Sequence, residues 1–277
     1  MRDATAADLG EVTRVAALVD QGHEWAGGDE HYLAHLLGHG RLVVAEGEDS
    51  LLGYAGVRTL ETREGTVSML SDLFVAPERR EGGVGRALLS ALWGTRAPRM
   101  TFSSTHPGAL PLYTGSGLSA WWPLLYLVGE PSRLRVPDGY TVQATGADEA
   151  RRLERRWTGV VRDADYAAWL ARPGGAALVV RRDGQPVAVG AAGGAEPTLE
   201  HLRLAPGLDD QTASAAVHAA LAGSEGQGRV RAYLPAPHPA VPALLEAGWR
   251  VEEYDVFMAT HAGLLDPTRD LPSPALA

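Results

Sequence analysis

The chain repeats itself at long range, and that constrains its fold more than any local signal. Leu73–Phe74–Val75–Ala76–Pro77 returns 129 residues later as Leu202–Arg203–Leu204–Ala205–Pro206. The shift holds along the next helical stretch, where Ala87, Ala91 and Leu92 match Ala216, Ala220 and Leu221. Further on, Ala109 to Gly117 matches Ala240 to Gly248 at a shift of 131. A period of this length predicts two copies of one supersecondary plan, and 277 residues are enough for two domains of ordinary size.

The first copy carries a junction that the second has lost. Val75 to Leu89 reads as a strand, a short turn and a helix joined through arginine and glycine. Gly82, Gly83 and Gly85 lack a Cβ, so their N–H groups can turn inward and let anionic oxygens approach. The helix beginning near Gly83 adds its unpaired N–H groups and positive dipole end. Val84, Ala87, Leu88, Ala91 and Leu92 recur at helical spacing and give it an apolar face. No Lys-Ser/Thr pair follows the last glycine, which excludes a nucleoside-triphosphate loop. The glycine spacing is also wrong for a dinucleotide fingerprint. In the second copy Arg80, Gly83 and Gly85 become Asp209, Thr212 and Ser214. Two acids, Asp209 and Asp210, then stand where an anion would need an uncharged nest.

Periodicity places a short N-terminal strand, a helix over about Asp8–Val19, and a second helix that Asp29 can cap, after the loop of His23 to Gly28. Strands are predicted at about Arg41–Glu46, Leu51–Thr59, Thr66–Val75 and Met100–Ser103, a helix at Pro107–Ser116, and a last strand at Trp121–Val128. The organisation expected is a first domain over 1–130, a linker over 131–138, a second domain over 139–262 and a loosely ordered tail over 263–277.

Composition removes several classes. There is no Cys, so disulfides, Cys-ligated metal and thiol nucleophiles are excluded. The net charge is -9 and every basic residue is Arg, an acidic balance that argues against nucleic acid and suits a cationic small molecule. No apolar run approaches the ~20 residues of a membrane helix, so no membrane partner and a cytoplasmic protein are expected. His31, His35 and His39 share one helix face, but no accompanying acid completes a metal motif; they read as exposed histidines, and no metal is expected.

The junction resembles the acetyl-CoA signature of the GNAT acyltransferase superfamily: a strand ending in Val-x-Pro, then Arg/Gln-x-x-Gly-x-Gly/Ala opening a helix. Val75, Pro77, Arg80, Gly83 and Gly85 match in register, whereas Glu81 stands where the family most often has Gly. The resemblance implies an α/β (α+β) fold of two tandem GNAT-like units. Each would be a mixed, mostly antiparallel twisted sheet flanked by helices, with the second unit degenerate. It further implies acetyl-CoA as co-substrate, held by Arg80, Glu81, Gly82, Gly83, Val84, Gly85 and Arg86 at the pyrophosphate. Leu73, Phe74 and Val75 would lie along the pantetheine arm, where a bulge exposes N–H groups to the thioester oxygen. His106 takes the place of the family's usual Asn.

Acyl transfer to an amine requires carbonyl polarisation, a proton acceptor for the amine and a proton donor for the thiolate. Tyr113 resembles the family's donor and is replaced by Leu244 in the second copy. Asp72 beside the splayed strand and Glu24 in the acceptor loop are the candidate bases. The expected activity is acetyl-CoA-dependent N-acetyl transfer to a small-molecule primary amine, directly within a ternary complex, by a monomer or homodimer. The alternative is a non-catalytic acyl-CoA-binding regulator or scaffold, favoured by Glu81 and His106.

Overall fold

The computed structural model describes residues 1–19, 30–63, 65–80, 82–93, 98–224, 226 and 228–276. The first half runs β1 (Arg2–Asp3), α1 (Leu9–Val19), α2 (Glu30–His39), β2 (Gly40–Glu46), β3 (Leu51–Thr62), β4 (Gly65–Val75), α3 (Val84–Leu92), β5 (Arg99–Ser103), α4 (Ala109–Gly115) and β6 (Ser119–Gly129). The second half repeats that order as β7 (Tyr140–Thr145), α5 (Ala147–Thr158), α6 (Asp163–Ala171), β8 (Ala176–Arg182), β9 (Gln185–Gly193), β10 (Thr198–Leu204), α7 (Asp210–Ala222), β11 (Val230–Pro235), α8 (Val241–Glu246) and β12 (Arg250–Ala259). A short β13 (Asp270–Leu271) follows. The result is the expected mixed, mostly antiparallel sheet flanked by helices. Among the described residues no helix is long and apolar enough to cross a membrane.

The internal repeat is visible in the hydrogen-bond register. β4 departs from its ladder with β3 at Ser71, between the pairs Val57–Leu70 and Gly56–Asp72. β10 departs from its ladder with β9 at Glu200, 129 residues later. Each bulged strand pairs in parallel with the next strand and then parts from it. Leu70–Thr101 is the last pair in the first half, and Leu199–Ala232 is its counterpart in the second. An extra residue bends a strand and sharpens its twist, so the bulge is the physical cause of the parting.

The two halves exchange their last strands. The sheet order is β1-β2-β3-β4-β5-β12-β6-β11-β10-β9-β8-β7, with β13 on β10. β12, from the second half, therefore pairs with β5, and β6, from the first, pairs with β11. The two exchanged strands also pair with each other. Trp122 stacks on Phe257 with ring centres 4.5 Å apart at this crossing. Burial of the aromatic pair fixes the exchange, since separating the strands would return both rings to water.

A second seam lies on the helix side. Val12, Val15, Leu33 and Leu36 of α1 and α2 share one core with Ala150, Tyr166 and Trp169 of α5 and α6. Charges cross it as well. Arg58 and His35 meet Asp165, and Arg162 bridges Asp165 and Glu154. The expectation of three exposed histidines is thus corrected at His35, whose side chain is 7% exposed; the facing aspartate is invisible to helical spacing. The expectation of a loosely ordered tail is also corrected. Leu265, Leu271 and Leu276 are buried, and the carbonyl of Leu276 accepts from Arg162 at 2.8 Å. Small and proline-rich composition signals low helix propensity, but three spaced leucines suffice to dock the segment.

Candidate active site

The glycine turn leads into α3 as the junction predicts. Gly83 occupies the N-cap of α3 with φ +77, a left-handed conformation that L side chains disfavour, and a Cβ added there would meet open space. No side chain caps the helix, which leaves its first N–H groups available. Gly85 is needed for packing, because a Cβ there would lie 3.3 Å from Leu112 Cδ2. At the equivalent place in the second half, Asp209 caps α7 and accepts from the Thr212 N–H at 2.6 Å. One helix start is open to an external anion; the other is already occupied by the chain's own carboxylate.

Arg80 sits beside this turn, with its Nε donating to the Val75 carbonyl at 3.4 Å. His106 lies 3.2 Å from the Arg80 guanidinium, and its Nδ1 accepts from the Gly108 N–H. That acceptance puts the ring proton on Nε2, so the imidazole has no lone pair for Arg80, and the guanidinium is not locked to it. Gly82 and Arg86 are exposed, and Val84 is half-buried beneath the turn. Glu24 and Glu81 lie outside the described residues.

The gap between β4 and β5 separates two faces of the sheet. Leu73 and Val75 turn toward α3 and α4, where they pack with Val84, Leu112 and Tyr113. Phe74 turns the other way, toward the α1–α2 core. Side chains alternate along a strand, so Asp72 shares the face of Phe74. Tyr113 and Asp72 therefore approach the gap from opposite sides.

Asp72 is 2% exposed, and the Tyr32 hydroxyl donates to its Oδ2 at 3.0 Å. Its Oδ1 has no hydrogen-bond partner among the described residues. Burial pushes this carboxyl up to about 8, against the lowering effect of Tyr32. Tyr113 is buried, and burial raises its phenol, with the charges of Asp255 and Asp72 adding to the rise. The field of both carboxylates thus reaches Tyr113 through the gap. The second half has lost this arrangement. Leu244 replaces Tyr113, and His201 stands 129 residues after Asp72. His201 Nε2 meets Glu154 at 3.0 Å, and its ring stacks on Trp169.

Two participants were not anticipated from sequence. Tyr32 lies on α2 with no motif around it. Asp255 comes from β12, and only the strand exchange brings it near Tyr113. Tyr126 donates to Asp255 at 2.6 Å. A cavity of about 1230 Å³ lies on this face, and its wall includes Tyr32, Tyr126, Trp169, Glu200, Arg231 and Tyr233.

Residues 38–117 match the family described as "Acetyltransferase (GNAT) domain". A mycothiol acetyltransferase of Geodermatophilus obscurus is 33% identical over 144 residues, which span 48% of this chain and 46% of that relative. The match thus covers under half of the curated relative's length. The fold is shared with a candidate acetyltransferase of Pyrococcus horikoshii, at a TM-score of 0.71, 12% identity, and 99% and 92% of the two chains. It is also shared with a tandem GNAT protein from the clavulanic acid biosynthesis pathway, at a TM-score of 0.61, 14% identity, and 95% and 98% coverage. A GCN5-related N-acetyltransferase of Kribbella flavida aligns at a TM-score of 0.59 with 21% identity, over 93% and 70%.

Proposed function

From the premise that the chain carries a GNAT acetyltransferase domain, we propose that it is an acetyl-CoA-dependent N-acetyltransferase acting on a primary amine. The first half holds the reaction centre, and the second half is a non-catalytic partner. The observation that carries the reading is the bulge at Ser71. It opens β4 from β5 and sets Tyr113 and Asp72 on opposite faces of one gap.

Acetyl-CoA, when bound, supplies the thioester whose carbonyl the amine attacks. The uncapped start of α3, with Gly82, Gly83 and Gly85, fits its pyrophosphate, and Arg80 and Arg86 supply positive charge there. Backbone N–H groups of Leu73 to Val75, freed from β5, are placed to polarise a carbonyl in the gap. Asp72 takes the proton of the attacking amine; a carboxyl at about 8 is matched to that transfer near neutral pH. Tyr113 keeps its proton while the nearby carboxylates are charged. Once Asp72 is protonated, one of those charges is gone and the phenol becomes the stronger donor to the departing thiolate. With no Cys in the chain, transfer is direct within a ternary complex.

Two measurements test this. Thermal melting with and without acetyl-CoA reads the cofactor site, and thiol release with a panel of primary amines reads turnover. Binding with turnover is expected. Binding without thiol release from any amine would favour a regulator instead, and absence of binding would sink both.

A further inference from the structure

We propose that Asp255, carried by the second half, binds the ammonium group of the acceptor across the gap from Asp72, so that the two halves build one acceptor site. The inference rests on the acetyltransferase reading above.

β12 pairs with β5 from Ala259–Met100 to Val256–Ser103, where β5 ends. Asp255 is the next residue, placed past the end of β5 at the mouth of the gap. Val256 and Met258 pack on the α3–α4 face, whereas Phe257 packs with Met69 and Trp122 on the other. By alternation Asp255 shares the face of Phe257, the face on which Tyr126 donates to it at 2.6 Å. β4 with Asp72 thus borders one side of the opening, and β12 with Asp255 the other.

Each carboxylate is backed by a tyrosine that forms part of the cavity wall, Tyr32 behind Asp72 and Tyr126 behind Asp255. Two acids alone would be only a charged cluster. The second observation is Asp72 Oδ1, buried at this opening and without a hydrogen-bond partner among the described residues. A buried acceptor atom left without a donor carries a free-energy cost that a ligand N–H removes. A primary ammonium offers three donors and a positive charge, enough to engage both aspartates together. A neutral alcohol offers one donor and no charge.

The test uses the full-length chain with 13C-labelled aspartate carboxyls, n-propylammonium as probe and n-propanol as neutral control. The resonance lost in Asp255→Asn identifies Asp255 in the wild type. Propylammonium is expected to move that resonance, and propanol to leave it in place. The probe's affinity is expected to fall roughly tenfold in Asp255→Asn, the loss of one charge-assisted contact, and to recover largely in Asp255→Glu. A wild-type Asp255 resonance unmoved by propylammonium, or moved equally by propanol, overturns the assignment whether or not the variants fold. Calorimetry with acetyl-CoA on the same sample separates the two readings. Absence of acetyl-CoA binding overturns the acetyltransferase reading, while the propylammonium shift still judges Asp255.

Discussion

The hydroxyl of Tyr32 donates to Asp72 at 3.0 Å and ties α2 to β4 one residue past the bulge. The bond satisfies one carboxyl oxygen and leaves the other bare, in a place almost fully removed from water. This pair makes Asp72 a group that serves chemistry at the expense of stability.

The sign of that expense follows from the titration. The folded state raises Asp72 to about 8, above the ordinary carboxylate value of roughly 4. Its contribution to stability is therefore fully present below about pH 4 and is lost as pH rises through 8. Asp72→Asn is expected to melt several degrees above wild type at pH 9 and close to it at pH 4, while abolishing thiol release. Equal melting shifts at both pH values would contradict the assignment.

Gly83→Asp is expected to abolish acetyl-CoA binding in calorimetry, because the carboxylate would supply to α3 the cap that Asp209 supplies to α7. The reciprocal change, Asp209→Ala, removes a cap worth about 1 kcal/mol and is expected to lower stability by that order in urea titration. Acetyl-CoA affinity should not change in that variant.

Tyr113→Phe is expected to lower kcat by about 10- to 100-fold through loss of the proton donor, with acetyl-CoA affinity nearly unchanged. Comparable loss of binding and turnover would assign Tyr113 to packing against Leu112 and Val84 instead.

The seam between the halves holds buried charge. Burial pushes Glu154 up, but donation from His201 and the Arg162 guanidinium outweighs it and holds the carboxyl at about 2. Its contribution is present above about pH 4 and is lost as pH falls toward 2. Arg162→Met leaves Glu154 and Asp165 short of their cation and is expected to cost about 3–5 kcal/mol in chemical denaturation at pH 7.

Residues 1–130 expressed alone lack β12, and β6 lacks both of its sheet neighbours. That fragment is expected to show no cooperative thermal transition by circular dichroism, and supplying residues 131–277 as a separate chain is expected to restore it. A sharp transition for the fragment alone would show that the exchange is dispensable.

Much of the site was legible before any coordinates. Gly83, Gly85 and the apolar face of α3 announce a strand–turn–helix junction, because left-handed backbone and helical periodicity are local properties. The shifts of 129 and 131 foretold the paired register at Leu199 and Ala232. Tyr113 and Asp72 were accessible through the motifs beside them. Tyr32, Tyr126 and Asp255 were not, since each matters through a partner at least 40 residues distant.

The sequence by itself determined that one αβ plan occurs twice, and that only the first copy has a helix start free of its own side chains. Those features depend on backbone conformation and spacing, which neighbouring residues dictate. The tertiary structure decided that the last strands trade places, that His35 and Leu276 are buried, and that an aspartate of the second half stands at the opening of the first. Strand pairing is chosen by burial across the whole sheet, with Trp122 against Phe257 at its centre, and no local pattern encodes which of two similar strands completes which half.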